Sequence, residues 1–188
     1  MNAMKYHGDT VKAWAGDSQW KACRADLAHY REHGSPGWWS VGFWALVLYR
    51  LQKVVRGWRP GWLWAPARLG LRIVKKLFEI VTLIEIHPDA NIGPGLMLPH
   101  GGPIRVFGAT KIGADCVLNH VCTIGAGFRT GGATIGDHVF IGCHSSIIGA
   151  VTIGDGAVIA ANSLVISNVP PGFTAIGVPA KMLPEMPR

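Results

Sequence analysis

Thr134-Ile135-Gly136-Asp137-His138-Val139-Phe140-Ile141-Gly142-Cys143-His144-Ser145-Ser146-Ile147 places an isoleucine at every sixth position, and the interval continues through Ile153, Ile159 and Val165. A period of six matches neither the 3.6 residues of an α-helical turn nor the alternation of a strand. It fits a hexapeptide β-helix, in which each hexad forms one face of a triangular coil and three hexads, about 18 residues, complete it. The aliphatic residue points into the prism and is buried only when the next coil stacks on it. The glycine that often follows, as in Ile135-Gly136, Ile141-Gly142 and Ile153-Gly154, is expected to turn the corner through an unusual φ.

The same grammar reaches back to Ile86. One series runs Ile86, Ile92, Leu98, Ile104, and a second runs Val106, Ile112, Leu118, Ile124. With the third series they make fourteen positions, too many for chance. Two phase slips interrupt them. A slip of two residues lies between Ile104 and Val106, and one of five lies between Ile124 and Ile135, where Gly125 to Gly132 intervene. Insertions that leave one face of a repeat protein usually bind something. The division read from these patterns is a solenoid over residues 83–188 behind a short helical region over 1–82.

That N-terminal region follows different rules. Gly16-Asp17-Ser18 offers a cap for a helix over Gln19 to His33, and Gly34-Ser35-Pro36-Gly37 breaks it. A second helix is expected from Trp38 to Arg56, and a third from Pro66 to about Thr82 after the Arg59-Pro60-Gly61 turn. Residues 1–82 carry 13 Lys/Arg against 5 Asp/Glu, whereas residues 83–188 carry 5 against 6. The basic excess of the whole chain, +7, therefore belongs to the first part alone. Trp38, Trp39, Trp44, Trp58, Trp62 and Trp64 sit among Arg50, Lys53, Arg56, Arg59 and Arg68. Two readings stay open for this segment: a cap packed on the β-helix or another subunit, and a peripheral contact with a membrane surface. No nucleic-acid motif accompanies the charge. The longest stretch free of charge and histidine, Gly34 to Tyr49, has 16 residues, short of the ~20 that a spanning helix needs. No apolar leader follows Met1. A cytoplasmic protein is expected, at most peripheral at the inner face of the membrane.

Cys23, Cys116, Cys122 and Cys143 include no CxxC pair, and they read as reduced thiols. Ligands at tight spacing are missing, so no metal site is expected. His87 reads as structural, and His138 and His144, six residues apart, as solvated.

Residues 84–183 resemble the serine O-acetyltransferases of the hexapeptide-repeat acyltransferase family. The resemblance rests on Glu85-Ile86-His87-Pro88, Ile92 to His100, Val106 to Ile112, Val121 to Gly125, and Val169-Pro170-Pro171-Gly172-Phe173 leading to Gly177-Val178-Pro179-Ala180-Lys181. It implies a mainly β protein built on a left-handed parallel β-helix, a homotrimer, and acetyl-CoA bound in a groove between coils. It also implies direct attack of an acceptor hydroxyl on the thioester. The family's catalytic histidine matches His100, and its orienting acid matches Glu85. The chemistry agrees, because a hydroxyl must lose its proton as it attacks, and histidine, with an ordinary pKa near ~6.5, suits that task. The glycine-rich backbone near Gly101-Gly102 is a candidate donor to the oxyanion. His120 is the rival base or a substrate-binding residue. Gly142, Ala160, Ala161 and Lys181 are the candidates for coenzyme A, although small residues also simply fill coil corners.

The chain departs from the family where the amino-acid substrate is held. Pro99 replaces the aspartate that usually precedes the catalytic histidine. Gly131, Gly132 and Ala133 replace an Arg-His-Pro run, and Arg129 is the one nearby substitute. A zwitterion entering a dry site needs a partner for each charge. The expected acceptor is therefore a sugar or polysaccharide-precursor hydroxyl, with L-serine as the alternative. A non-catalytic or zinc-binding β-helix is the alternative of another class.

Overall fold

The computed structural model describes residues 19–127 and 131–184. Three helices come first: α1 (Gln19–Glu32), α2 (Val41–Gly57) and α3 (Ala65–Thr82). The sequence places all three within a few residues; the cap expected at Gly16 to Ser18 lies outside the described residues. Fourteen short strands follow, from β1 (Ile84–Ile86) to β14 (Lys181–Leu183). They form three sheets of five, four and five strands. All pairings are parallel except that of β13 (Thr174–Ile176) with β14. The three sheets are the faces of a parallel β-helix.

The phase slips are visible in the register. Ile104 pairs with Cys122, 18 residues on. Ile84 pairs with Ile104, 20 residues on, and Ile124 with Ile147, 23 residues on. The extra two and five residues are therefore extruded at corners, while every strand keeps its alternation. All fourteen aliphatic positions of the sequence pattern lie inside the prism, none more than 2% exposed.

The glycines that follow them do a different job from the one expected. Gly93, Gly113, Gly136, Gly142 and Gly154 do not have positive φ. They are needed because the next coil lies too close: a Cβ on Gly93 would stand 2.6 Å from the carbonyl oxygen of Gly113, and one on Gly113 2.5 Å from that of Gly136. The left-handed corners fall instead on other residues, among them Asp115, Val121, His138, His144 and Asn162 and the glycines Gly95, Gly156 and Gly172.

The helices close the first coil with polar side chains. Tyr30 donates its hydroxyl to the Leu98 carbonyl at 2.8 Å and accepts from the Leu98 N–H at 2.9 Å. Tyr49 donates to the Ala90 carbonyl at 2.6 Å. Arg50 and Asp26 form a fully buried ion pair that also binds the backbone of Gly93, Gly95 and Leu96. Tyr30, Phe43, Leu46 and Tyr49 supply the apolar contact. The six tryptophans from Trp38 to Trp64 do not, because all of them are exposed. α3 is mounted with its polar edge inward. Lys75 is buried and donates to Glu79 at 2.6 Å and to the Ile86 carbonyl at 2.7 Å. Leu69, Ile73, Leu77, Ile80 and Val81 face outward, 53–82% exposed. Among the described residues no helix is long and apolar enough to cross a membrane.

Candidate active site

The first coil ends at Leu98-Pro99-His100, and its position is fixed by the helices. Gly42 of α2 lies so close that a Cβ there would stand 2.3 Å from the Leu98 carbonyl oxygen. His100 itself is exposed. The next two coils each bring a histidine to the same corner. The His120 ring stands edge-on to His100 at 5.5 Å between centroids, and the His144 ring stands edge-on to His120 at 5.7 Å. The backbone N–H of His144 donates to the His120 carbonyl at 3.2 Å, so these last two coils are fastened at the corner. Among the described residues, the buried His120 Nδ1 has no hydrogen-bond partner.

Cys143 joins the same group. The ligating atoms of His120, Cys143 and His144 all lie within 4.8 Å of one another. Tight sequence spacing did not reveal this grouping, which arises only when the coils stack. The signal was available: a coil lengthened by the five-residue slip sets Cys143 beside His120. His144 is exposed, as the sequence reading expected.

Glu85 forms its ion pair with Arg105 and not with His100. It is the outward residue of β1, and its carboxylate accepts from Arg105 Nε at 2.9 Å and lies 2.8 Å from Arg105 Nη2. Glu85 and Arg105 are paired neighbours on adjacent strands. They line an open cleft of about 450 Å³ between the end of α3 and this sheet, together with Glu79, Leu83, Pro103 and Thr123. Sequence reading missed the cleft and Arg105, because the α3–sheet junction that forms it is a tertiary contact.

Gly142, Ala160 and Ala161 do converge. A Cβ on Gly142 would stand 2.6 Å from the Ala161 nitrogen, so this glycine is required by coil packing. Lys181 is exposed on β14. Arg129 lies outside the described residues.

Comparison with known proteins follows the same outline. A family model described as bacterial transferase hexapeptide (six repeats) matches residues 132–167. Serine acetyltransferase of Helicobacter pylori strain J99 is 34% identical over 115 residues, which are 60% of this chain and 67% of that enzyme. The chain belongs to the serine acetyltransferase family. The Escherichia coli K12 serine acetyltransferase is 34% identical over 156 residues, 81% of this chain but 54% of that enzyme. The crystal structure of Neisseria gonorrhoeae serine acetyltransferase in complex with serine aligns with a TM-score of 0.75 at 30% identity, covering 88% of this chain and 69% of that one. A serine acetyltransferase solved in complex with CoA aligns with a TM-score of 0.72 at 28% identity, covering 88% and 70%. As a member of this family the chain is an acyltransferase.

Proposed function

We propose that this protein is an acetyl-CoA-dependent serine O-acetyltransferase in which His100 is the general base. The observation that carries the reading is the exposed His100, edge-on to His120, on a solenoid that aligns with serine acetyltransferases solved with serine and with CoA. The serine hydroxyl oxygen attacks the thioester carbonyl carbon while an imidazole nitrogen of His100 takes its proton. Backbone N–H groups of Gly101-Gly102 meet the oxyanion. The C–S bond then breaks, and the imidazolium returns the proton to the departing thiolate.

The comparisons favour L-serine over the sugar hydroxyl that the missing clamps suggested. In the cleft, Arg105 and Glu85 are paired with each other at 2.8–2.9 Å and would have to exchange that pairing to hold a zwitterion. A neutral sugar hydroxyl remains the second reading, on the specific ground of Pro99, Gly131 and Gly132. A panel of L-serine, L-homoserine and sugars with acetyl-CoA, followed by product formation, decides between them. His100→Ala is expected to lower turnover by about 10²–10⁴-fold with little change in acetyl-CoA affinity. Near-normal turnover in that variant, with loss in His120→Ala, would transfer the role of base to His120.

The working form we infer is a cytoplasmic homotrimer, with acetyl-CoA lying near Gly142, Ala160, Ala161 and Lys181. The outward apolar face of α3, flanked by Arg72, Lys76 and the exposed Trp62, favours a peripheral contact with an anionic lipid surface.

A further inference from the structure

We propose that His120, Cys143 and His144 form a binding site for a borderline-soft divalent cation, zinc foremost, and that its occupancy switches off acetyl transfer. The two imidazoles and one thiol already share one corner, with their ligating atoms within 4.8 Å of one another. Four-coordinate zinc, with bonds of about 2.0–2.3 Å, holds its ligand atoms roughly 3.3–3.8 Å apart, so only small side-chain rotations are needed. His144 is exposed and free to make them.

Two further observations point to a ligand. Among the described residues, the buried His120 Nδ1 has no hydrogen-bond partner, which is costly unless something else occupies it. The thiols of Cys116 and Cys122 donate to backbone carbonyls, whereas among the described residues no hydrogen bond engages the Cys143 thiol. The chemistry is selective. Nitrogen and sulfur donors without a carboxylate suit zinc or cobalt(II) and not magnesium or calcium. Three protein ligands leave a fourth position for water. Binding releases the Cys143 thiol proton to solvent, because the thiolate is the ligand.

The functional consequence rests on the proposed role of His100. His120 is its ring neighbour, so a dication held by His120 opposes the positive charge that His100 acquires when it takes the hydroxyl proton. The metal therefore acts against turnover and takes no part in the transfer.

The binding claim is tested without activity. The metal-free full chain is titrated with cobalt(II), and the thiolate-to-cobalt band in the near ultraviolet is followed with the visible bands of four-coordinate cobalt. Zinc should displace them. Cys143→Ser should abolish the thiolate band, and His144→Ala, at an exposed position, should weaken cobalt binding by at least about 100-fold, more than losing an outer-shell partner does. His138→Ala, on another corner, should change nothing. Absence of the thiolate band, or its persistence in Cys143→Ser, overturns the site. The inhibition claim is read from acetylated product, since zinc binds free thiols. Zinc should inhibit the parent protein and spare His144→Ala. Equal inhibition of both overturns the switch while leaving the binding result to stand.

Discussion

Removing Arg50 should uncouple the helical cap from the coil that carries His100. In Arg50→Met the guanidinium disappears while Asp26, fully buried, stays. The lost contacts are Nε to Oδ2 at 2.6 Å, Nη2 to Oδ1 at 2.8 Å, and Nη2 to the Gly93 carbonyl at 2.8 Å. Asp26 keeps only the N–H groups of Gly95 and Leu96, at 2.9 and 3.1 Å. Breaking a buried pair by deleting one partner costs about 3–5 kcal/mol, a large part of the ~5–15 kcal/mol that holds a typical protein folded. For a chain of this size each kcal/mol moves Tm by about 2–4 °C, so a fall of roughly 6–20 °C is expected. Asp26→Asn together with Arg50→Met should lose less than Arg50→Met alone, since a neutral amide oxygen still accepts from Gly95 and Leu96. Burial pushes the Asp26 carboxyl up, while the Arg50 side chain and the two N–H groups pull it down. Without Arg50 the folded state takes up a proton more readily than the unfolded chain, so its stability falls as pH rises. The deficit of Arg50→Met should therefore narrow as pH falls toward the ordinary carboxylate range. The assay is thermal unfolding at fixed protein concentration, with turnover measured in parallel. A Tm within about 2 °C of the parent, or strictly additive losses in the double variant, would refute the reasoning.

Arg105→Ala should raise KM for L-serine by about tenfold or more, because a carboxylate loses a charge-assisted partner worth ~1.5–3 kcal/mol, while KM for acetyl-CoA holds. An unchanged serine KM would remove the cleft from the substrate site. Ile73→Glu with Leu77→Glu should abolish co-sedimentation with anionic vesicles and leave the monomer's β-helix intact. If the pair instead breaks the oligomer and vesicles bind neither protein, α3 is a subunit contact. Burial pushes the Cys116 thiol up to about 12, so mapping of alkylation at mildly alkaline pH should find Cys116 unmodified in the folded protein and modified after denaturation. Modification of Cys116 in the native state would contradict the packing of the prism.

The β-helix was legible in the sequence because its period is local. Each hexad repeats the same inward residue, and even the register changes at Ile104 and Ile147 follow from counting inserted residues. The family's motif marked His100 as the candidate base, and the three helices were legible through their breaks. Other features depended on stacking and on contacts between distant segments. Why Gly93 and Gly113 must be glycine emerges only when one coil lies on another, since the constraint is a backbone 2.5–2.6 Å from an absent Cβ and not the residue's own φ. The outward apolar face of α3 was equally hidden. Its amphipathic pattern is plain in the sequence, but buried Lys75, bonded to the Ile86 carbonyl, decides which side turns inward. The pairing of Glu85 with Arg105, and the meeting of His120, Cys143 and His144, are likewise contacts between successive coils. Periodicity thus fixed what lies inside the prism, whereas the stacking of coils and the docking of helices decided which polar groups meet on its outside.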